Sequence, residues 1–156
     1  MPETITGSGE RQPLHFADYT VRPAQDSDVV ALFPIVVEFA TSFVPEWGPY
    51  EATFRSLLKD DHACFLVGDL EGSPVGYLLG FDHPTFFANG LVAWVEEVAV
   101  CSSLRGKGLG RALMTAFEEW ATSRGCKLAA LATRRAAGFY RALGYEESAT
   151  YFRKLL

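Results

Sequence analysis

The sequence predicts an α+β fold around a mixed β-sheet that is mostly antiparallel, and two observations support this prediction. The predicted elements follow the order β-α-α-β-β-β-α-β-α-β, in which a meander of strands comes before a β-α-β unit. The long strand predicted at Leu91–Val100 leads through a short break into a glycine-rich turn, and a helical pattern begins directly after it. A hairpin meander followed by one parallel crossover gives a sheet of mixed direction.

Length and composition indicate one globular domain. The chain has 156 residues, of which 49% are hydrophobic and 21% are charged, and this is enough to bury a core of ordinary size. Residues 1–18 contain glycine, serine, proline and charges, and they have no apolar stretch like that of a signal peptide. We therefore expect a flexible leader over residues 1–18 and a single domain over residues 19–156.

Charge and cysteine usage limit the classes of function. The formal net charge of −5 argues against a general nucleic-acid binder, which would carry a basic face. Cys64, Cys101 and Cys126 form no C-x-x-C pair, so we expect neither a disulfide framework nor a structural zinc site. A reducing cytoplasm is the predicted location. No apolar run reaches the ~18 residues of a transmembrane helix, so no membrane span is expected.

The first half of the chain predicts one strand and two helices before the meander. Tyr19–Pro23 is a short extended run that ends at a proline. Apolar residues then recur with helical spacing over Val29–Ala40, after N-cap candidates at Asp26–Asp28. A second helix is predicted over Tyr50–Leu58. Between the helices, residues 41–50 are rich in breakers and aromatic side chains, which either close the core or bind a ligand.

The second half predicts a hairpin, a long strand and two further helices. Strands are indicated by apolar and β-branched runs between turn residues, and helices by apolar residues at helical spacing that end at glycine. The predicted elements are, in order, strands at Ala63–Leu70 and Val75–Phe81, a loop at residues 82–90, the strand Leu91–Val100, a helix at residues 111–124, a strand at Lys127–Ala132, a helix at residues 133–143 and an extended segment at Tyr145–Lys154.

The turn at Arg105–Gly110, R-G-K-G-L-G, predicts a phosphate-binding site. Glycines at alternate positions let backbone N–H groups approach an anion closely, and the helix N-terminus that follows adds a partial positive charge. Arg105, Lys107 and Arg111 add cationic side chains, and together with the glycines they exceed what a tight turn requires. Neither the dinucleotide fingerprint G-x-G-x-x-G nor a P-loop is present, so the motif is of another type.

The R-G-K-G-L-G stretch, preceded by E-E-V-A-V, resembles the acetyl-CoA-binding motif of the GCN5-related N-acetyltransferases (the GNAT superfamily), whose pattern is Arg/Gln-x-x-Gly-x-Gly/Ala. Ala136–Tyr145 is similar to a second pattern of that family, A-x-x-F-Y-x-x-x-G-F/Y. The element order is also that of the family, so the resemblance extends over residues 19–156. It implies the GNAT acyl-CoA N-acyltransferase fold, in which about four helices flank a central, mostly antiparallel mixed sheet with a splayed parallel strand pair.

The resemblance also implies an activity, the direct transfer of the acetyl group of acetyl-CoA to a primary amine of a small molecule or peptide. A covalent relay through Cys101 is not favoured, because the sequence shows no histidine or asparagine to support it. The alternative is a non-catalytic CoA-binding module that acts as a sensor or interaction domain, and another acyl donor stays open. The expected partners are acetyl-CoA and an amine, without metal, nucleic acid or membrane; a homodimer stays open. Residues 41–50 and 82–90 are expected to shape the acceptor site.

By this resemblance, acetyl-CoA is expected on the turn and on the strand before it. In the family, the turn holds the pyrophosphate and backbone groups of the strand pair with the pantetheine arm. Thr133 stands where the family often has asparagine, and its hydroxyl can make a similar hydrogen bond to the arm. The expected cofactor-binding residues are Val98, Ala99, Val100, Arg105, Gly106, Lys107, Gly108, Leu109, Gly110, Arg111 and Thr133.

Three residues are expected to be catalytic, namely Glu96, Glu97 and Tyr140. The two glutamates are consecutive, so they point to opposite faces of a strand unless a bulge intervenes. A carboxylate can take the proton of the amine. We prefer Glu96, which shares a face with Val98 and Val100 and resembles the base of polyamine-type members, and keep Glu97 as the alternative. Tyr140 resembles the general acid that protonates the departing thiolate, since a phenol has a higher pKa than a thiol; core packing is the alternative role.

Overall fold

One six-stranded sheet forms the centre of the computed structural model, which describes residues 14–16 and 19–156. The strands follow sequence order across the sheet, and neighbours run antiparallel except the last two, which run parallel. The strands are β1 (Leu14–Phe16), β2 (Tyr19–Pro23), β3 (Ala63–Leu70), β4 (Ser73–Thr85), β5 (Gly90–Val100) and β6 (Ala129–Leu131). The predicted mixed and mostly antiparallel sheet is confirmed.

Four α-helices in the described part of the chain flank the sheet, in agreement with the sequence prediction. They are α1 (Val29–Phe39), α2 (Trp47–Leu57), α3 (Leu109–Ser123) and α4 (Ala137–Ala142). Buried side chains of α1 and α2 pack on one face of the sheet, and those of α3 pack on the other. Each face of the sheet is therefore covered by at least one amphipathic helix.

The core beneath α3 is the larger of the two layers. Leu113, Met114 and Phe117 recur at helical spacing and are fully buried. They pack in one cluster with strand residues that include Leu78 and Val95. Burying one such side chain contributes about 1.5–3 kcal/mol to stability, so this stripe fixes α3 on the sheet.

The layer beneath α1 and α2 is built from both helices and the middle strands. Leu32 of α1 and Phe54 of α2 are buried in one cluster. Their strand neighbours in that cluster include Tyr77 and Leu79 of β4 and Ala99 of β5. This layer is the side on which a pocket opens, as described below.

A β-bulge at Glu96 interrupts the pairing of β4 with β5. Leu79 stands opposite Glu97, whereas the next residue, Gly80, stands opposite Val95. Glu96 therefore has no partner in the β4–β5 register, and it is the extra residue of the bulge.

The bulge changes which side chains of β5 face each helix layer. In an unbroken strand, Val95, Glu97 and Ala99 would share one face, because side chains alternate with a period of two. Instead, Val95 packs in the core beneath α3 and Ala99 packs beneath α1. A one-residue shift moves every later side chain to the opposite face.

Residues 82–90, which the sequence predicts as a loop, are mostly strand. β4 and β5 extend toward each other until only residues 86–89 form a turn. Asp82 is buried, and its carboxylate contacts His62 Nδ1 at 2.7 Å and Arg124 Nε at 2.5 Å. These tertiary contacts support a longer hairpin than the local sequence indicates, so the loop prediction is wrong.

The segment Tyr145–Lys154, predicted to be extended, forms no strand within the described residues. Side-chain contacts position it instead. The Tyr145 hydroxyl donates to Glu118 Oε1 at 2.9 Å, and the Tyr151 ring stacks 6.4 Å from that of Trp94. Its first half, E-E-S-A-T after Tyr145, carries no apolar alternation that could bury one face of a strand.

Two other boundaries differ from the predictions. Within the expected leader, Leu14–Phe16 pair with β2 as an edge strand, and the rest of residues 1–18 lies outside the described residues. The helix predicted at residues 133–143 is the shorter α4.

No helix in the described ranges is long and apolar enough to cross a membrane. The cytoplasmic location and the homodimer stay predictions.

Gly80 permits the close packing of α3 on the sheet. A Cβ added at Gly80 would lie 2.5 Å from Cε2 of Phe117 and 2.8 Å from the backbone oxygen of Trp94. We predict that Gly80→Ala lowers the free energy of unfolding by about 1–3 kcal/mol, because the ring or the backbone must shift. Urea denaturation measures the change. Gly48→Ala, where an added Cβ meets no atom within 4 Å, is the matched control. A Gly80→Ala protein as stable as the wild type contradicts the packing described.

Candidate functional site

The glycine-rich turn leaves backbone N–H groups open at the start of α3. Gly106 and Gly108 have φ angles of 74° and 95°, in the left-handed region that glycine adopts without strain. The amide of Ala112 donates to the backbone oxygen of Gly108 at 3.0 Å, which begins the helical ladder. The N–H groups of residues 109–111 therefore have no acceptor within the helix and can bind an anion.

The three cations at this turn have different surroundings. Arg105 Nε donates to the backbone oxygen of Val100 at 3.3 Å, and a terminal nitrogen lies 3.4 Å from a carboxylate oxygen of Glu38. Arg105 thus ties the turn to the end of β5. Lys107 and Arg111 are exposed, and neither forms an ion pair within the described ranges. These two side chains are the cations best able to meet a phosphate.

The pairing of β5 with β6 ends well before β5 does. β6 pairs with β5 only opposite Ala93–Val95, whereas β5 continues to Val100. Along residues 96–100, β5 therefore has no β6 partner within the described chain. An open strand edge can hydrogen-bond an extended ligand. The early end of pairing agrees with the splayed parallel pair that the family resemblance implies.

α4 lies against the start of α3 and carries an aromatic hydroxyl at Tyr140. The Phe139 ring would be 3.3 Å from a Cβ added at Gly110. Tyr140 packs half-buried against the core beneath α3, and burial raises the pKa of its phenol. The Tyr140 hydroxyl makes no hydrogen bond to any described residue, so it is available to a ligand. Thr133 Oγ1 accepts a hydrogen bond from the Ala136 amide at 3.1 Å and shapes the turn into α4.

A cavity of about 410 Å³ lies between α1, α2 and the sheet, on the face opposite α3. This size is ordinary for a small-molecule site. Most of its wall is apolar and includes Leu32, Val36, Phe54, Leu57, Phe65 and Leu79. Its charged lining residues are Glu46 and Glu97.

Glu97 is a half-buried carboxylate in this cavity. The Tyr77 hydroxyl donates a hydrogen bond to Glu97 Oε1 at 3.2 Å. Burial raises the pKa of Glu97 above its usual value; the Tyr77 hydrogen bond opposes this rise, and the negative charge of Glu96 adds to it. A carboxylate with a raised pKa is a better proton acceptor at neutral pH than an exposed glutamate.

The bulge decides which of the two adjacent glutamates reaches the cavity. The sequence favoured Glu96, because strict alternation groups it with Val98 and Val100. Val98 and Val100 do share a face and pack against the core beneath α3. Glu96 itself is exposed at the bulge, whereas Glu97 lines the cavity. The structure thus removes the basis for preferring Glu96, and the sequence carries no signal for the position of the bulge.

The cavity uses only one of the two segments expected to shape an acceptor site. Residues 41–50 contribute Val44, Pro45, Glu46, Pro49 and Tyr50 to its lining. No residue of 82–90 lines the cavity, because the longer hairpin places that segment within the sheet. Tyr77 was not identified from the sequence as a site residue. Its period-two spacing from Leu79 on β4 could have indicated a shared face, but not its contact with Glu97.

Comparison with known proteins gives consistent matches. A family model described as the acetyltransferase (GNAT) family matches residues 30–145. An aminoglycoside N(6')-acetyltransferase type 1 of Stenotrophomonas maltophilia is 32% identical over 114 residues, which cover 67% of this chain and 74% of that protein. An uncharacterized N-acetyltransferase of Methanocaldococcus jannaschii is 32% identical over 99 residues, or 60% of this chain. The match spans only 44% of the length of that archaeal relative.

Solved structures share the fold. A putative acetyltransferase from Agrobacterium tumefaciens has a TM-score of 0.79 at 22% identity, with 87% of this chain and 99% of that chain covered. The aminoglycoside N-acetyltransferase AAC(6')-Iy, solved in complex with CoA, has a TM-score of 0.76 at 20% identity, with 92% of this chain and 97% of that chain covered. At these identities the likeness concerns the fold.

Tyr77 is expected to control the proton affinity of Glu97. Tyr77→Phe removes the hydroxyl that stabilises the ionised carboxylate, so the pKa of Glu97 should rise further. Carbon-13 NMR titration of labelled glutamates measures this pKa. Tyr50→Phe is the matched control, because the Tyr50 hydroxyl donates to the backbone oxygen of Val29 at 2.8 Å. An unchanged or lower pKa of Glu97 in Tyr77→Phe would show that the hydrogen bond does not act on the carboxylate.

Proposed function

The chain belongs to the acetyltransferase (GNAT) family, a family of acetyl-CoA-dependent enzymes, and we propose that it moves an acetyl group from acetyl-CoA directly to a primary amine of a small molecule or peptide. The position of Glu97 carries this proposal. Its carboxylate lines the cavity beneath α1 and α2, while the same strand runs on to the open edge and the glycine-rich turn. One strand therefore connects a proton acceptor to a site suited to an extended, phosphate-bearing ligand.

The turn fits the diphosphate of acetyl-CoA. A Cβ added at Gly106 or Gly108 would meet no atom within 4 Å, so the space above the turn is open. The N–H groups of residues 109–111 would hold the diphosphate oxygens, and Lys107 and Arg111 would add charge-assisted contacts. The turn residues predicted from the sequence are thus the ones proposed to bind the diphosphate. Within the turn, Arg105 holds the loop against the end of β5.

The strand edge fits the pantetheine arm. Backbone groups along Val98–Val100 would pair with the amides of the arm as a neighbouring strand would. Thr133 lies just beyond the end of β6, where its hydroxyl proton can be donated to the arm while its oxygen accepts from Ala136. When bound, acetyl-CoA supplies an activated thioester to the site.

Glu97 takes the first of the two protons that the ammonium nitrogen loses. An ammonium ion has no lone pair, so it attacks a thioester only after deprotonation. Glu97 accepts that proton directly or through one water, and its raised pKa brings it closer to the pH at which the enzyme works. The same charge also attracts the cationic amine into the apolar cavity.

Tyr140 gives a proton to the departing thiolate. As the new C–N bond forms, the C–S bond of the thioester breaks and the sulfur gains negative charge. Burial raises the pKa of Tyr140, so the phenol is protonated at neutral pH and able to donate. The nitrogen loses its second proton to water as the amide forms. Glu97 then releases its proton to solvent and Tyr140 takes one back, so each turnover releases one proton in total.

The alternative, a non-catalytic CoA-binding module, uses less of the site. Such a module needs the turn and the open strand edge, but it does not need Glu97 in an apolar cavity. Because the pKa of Glu97 is raised in the folded state, its ionised form lowers folding stability at pH values above the ordinary glutamate pKa. Catalysis gives a reason for that cost, whereas CoA binding alone gives none.

We expect the wild-type protein to release thiol from acetyl-CoA in the presence of primary amines, and Tyr140→Phe to lower kcat by about 100-fold, because the leaving thiolate loses its proton donor. A colorimetric thiol assay measures turnover, and calorimetry measures CoA affinity, which should not change.

Tyr145→Phe is the matched control for this experiment. It removes a hydroxyl from the same region, but that hydroxyl donates to Glu118 at 2.9 Å. Its kcat should stay within a few-fold of the wild type. Binding of CoA without thiol release on any amine would overturn the proposed enzyme and favour the binding module.

A further inference from the structure

A chain of aromatic rings walls the cavity and leads to Glu97. The ring centroids of Tyr50 and Phe54 lie 5.7 Å apart, and those of Phe54 and Phe65 lie 4.9 Å apart. Phe65 is followed by Tyr77 at 6.5 Å. Tyr77 then donates its hydrogen bond to Glu97. The rings are therefore in continuous contact from α2 to the carboxylate.

The hydroxyl groups of this wall are already used within the protein. Tyr50 donates to the backbone oxygen of Val29 at 2.8 Å, and Tyr77 donates to Glu97 at 3.2 Å. A ligand in the cavity consequently meets the rings of these tyrosines more than free donors. Thr53, an exposed residue of α2, is the uncharged lining residue whose hydroxyl could still contact a ligand.

The two carboxylates of the cavity lining differ in burial, and this difference favours one bound cation at Glu97. Glu97 is half-buried on the sheet, beside the wall of rings. Glu46, the other charged lining residue, is exposed and directly precedes α2. An ion pair at the half-buried Glu97 is less screened by solvent than one at the exposed Glu46.

Resting on the function proposed above, we infer that the acceptor is a primary amine that carries a single positive charge on an aromatic or branched-alkyl body. The ammonium group pairs with Glu97, and the body packs on the ring wall that ends at Tyr77. Removal of apolar surface from water drives binding, and edge-to-face ring contacts orient an aromatic body.

This inference differs from what the names of several relatives suggest. Relatives named aminoglycoside N(6')-acetyltransferases point toward a polyamino sugar as acceptor. A polyamino sugar carries several ammonium groups and many hydroxyls. In this cavity most of those groups would face apolar walls, and burying a polar group without a partner costs free energy. The lining therefore selects against such an acceptor.

The test compares three amines by thiol release from acetyl-CoA. They are 2-phenylethylamine, 1,4-diaminobutane and kanamycin, which present one charge on an aromatic body, two charges on a short chain, and several charges on sugars. We expect kcat/KM for 2-phenylethylamine to exceed that for kanamycin by roughly 100-fold or more, which is the scale on which pocket contacts discriminate substrates.

A charge added at the cavity should change this preference. Thr53→Glu adds a carboxylate to the lining beside Glu97 and the exposed Glu46, and it should raise kcat/KM for 1,4-diaminobutane relative to 2-phenylethylamine by about tenfold. Ala52→Glu is the matched control, because Ala52 is the neighbouring exposed residue of α2 and lies outside the cavity lining. Ala52→Glu should leave the ratio unchanged.

The outcomes separate this inference from the proposed function. Faster turnover of kanamycin than of 2-phenylethylamine overturns the inference and leaves the acetyltransferase intact. The inference is also overturned if Thr53→Glu and Ala52→Glu change the kcat/KM ratio of 1,4-diaminobutane to 2-phenylethylamine equally. If the protein binds CoA and no amine releases thiol, the proposed function fails. Calorimetry on the CoA-loaded protein then decides the inference, because it requires 2-phenylethylamine to bind more tightly than kanamycin.

Discussion

At Glu96 the β4–β5 ladder takes up one extra residue, and this bulge sets the direction of every side chain after it on β5. Beyond it, Ala99 faces α1, and Glu97 lines the cavity on the same side of the sheet. Without the bulge, alternation would turn Glu97 toward α3, into the layer that buries Leu113 and Phe117. A carboxylate without a partner in that layer would be costly. The bulge therefore permits a carboxylate on this strand while the core beneath α3 stays apolar.

β5 combines three tasks because each uses a different part of the strand. One face closes the core beneath α3, the other presents Glu97 to the cavity, and the edge along residues 96–100 is open where β6 ends. Burial of the Glu97 carboxylate lowers the folding stability when that group is ionised. The folded state holds the Glu97 proton more tightly than the unfolded chain does, so stability falls as pH rises from the ordinary glutamate pKa to the raised one. The same burial makes the group a better base at neutral pH.

Much of this architecture could be predicted because local patterns agree with tertiary packing. The apolar stripe of α3 predicts its buried face, and the glycines of residues 105–110 predict open N–H groups before it. Glu97 could not be chosen over Glu96, because a bulge is a property of strand pairing and neither residue encodes it locally. Residues 82–90 were misassigned for a similar reason, since Asp82 is held by contacts to residues distant in sequence. The cavity likewise depends on how α1 and α2 pack, which single-residue patterns do not determine.

The central claim is that Glu97, and not its neighbour Glu96, takes the proton from the amine. Steady-state kinetics of Glu97→Gln and Glu96→Gln test it most directly, because each change removes one charge and keeps the shape of the side chain. The account predicts that Glu97→Gln lowers kcat by about 100-fold or more with unchanged CoA affinity, whereas Glu96→Gln stays within a few-fold of the wild type. A larger loss in Glu96→Gln than in Glu97→Gln, or wild-type turnover in Glu97→Gln, would contradict it.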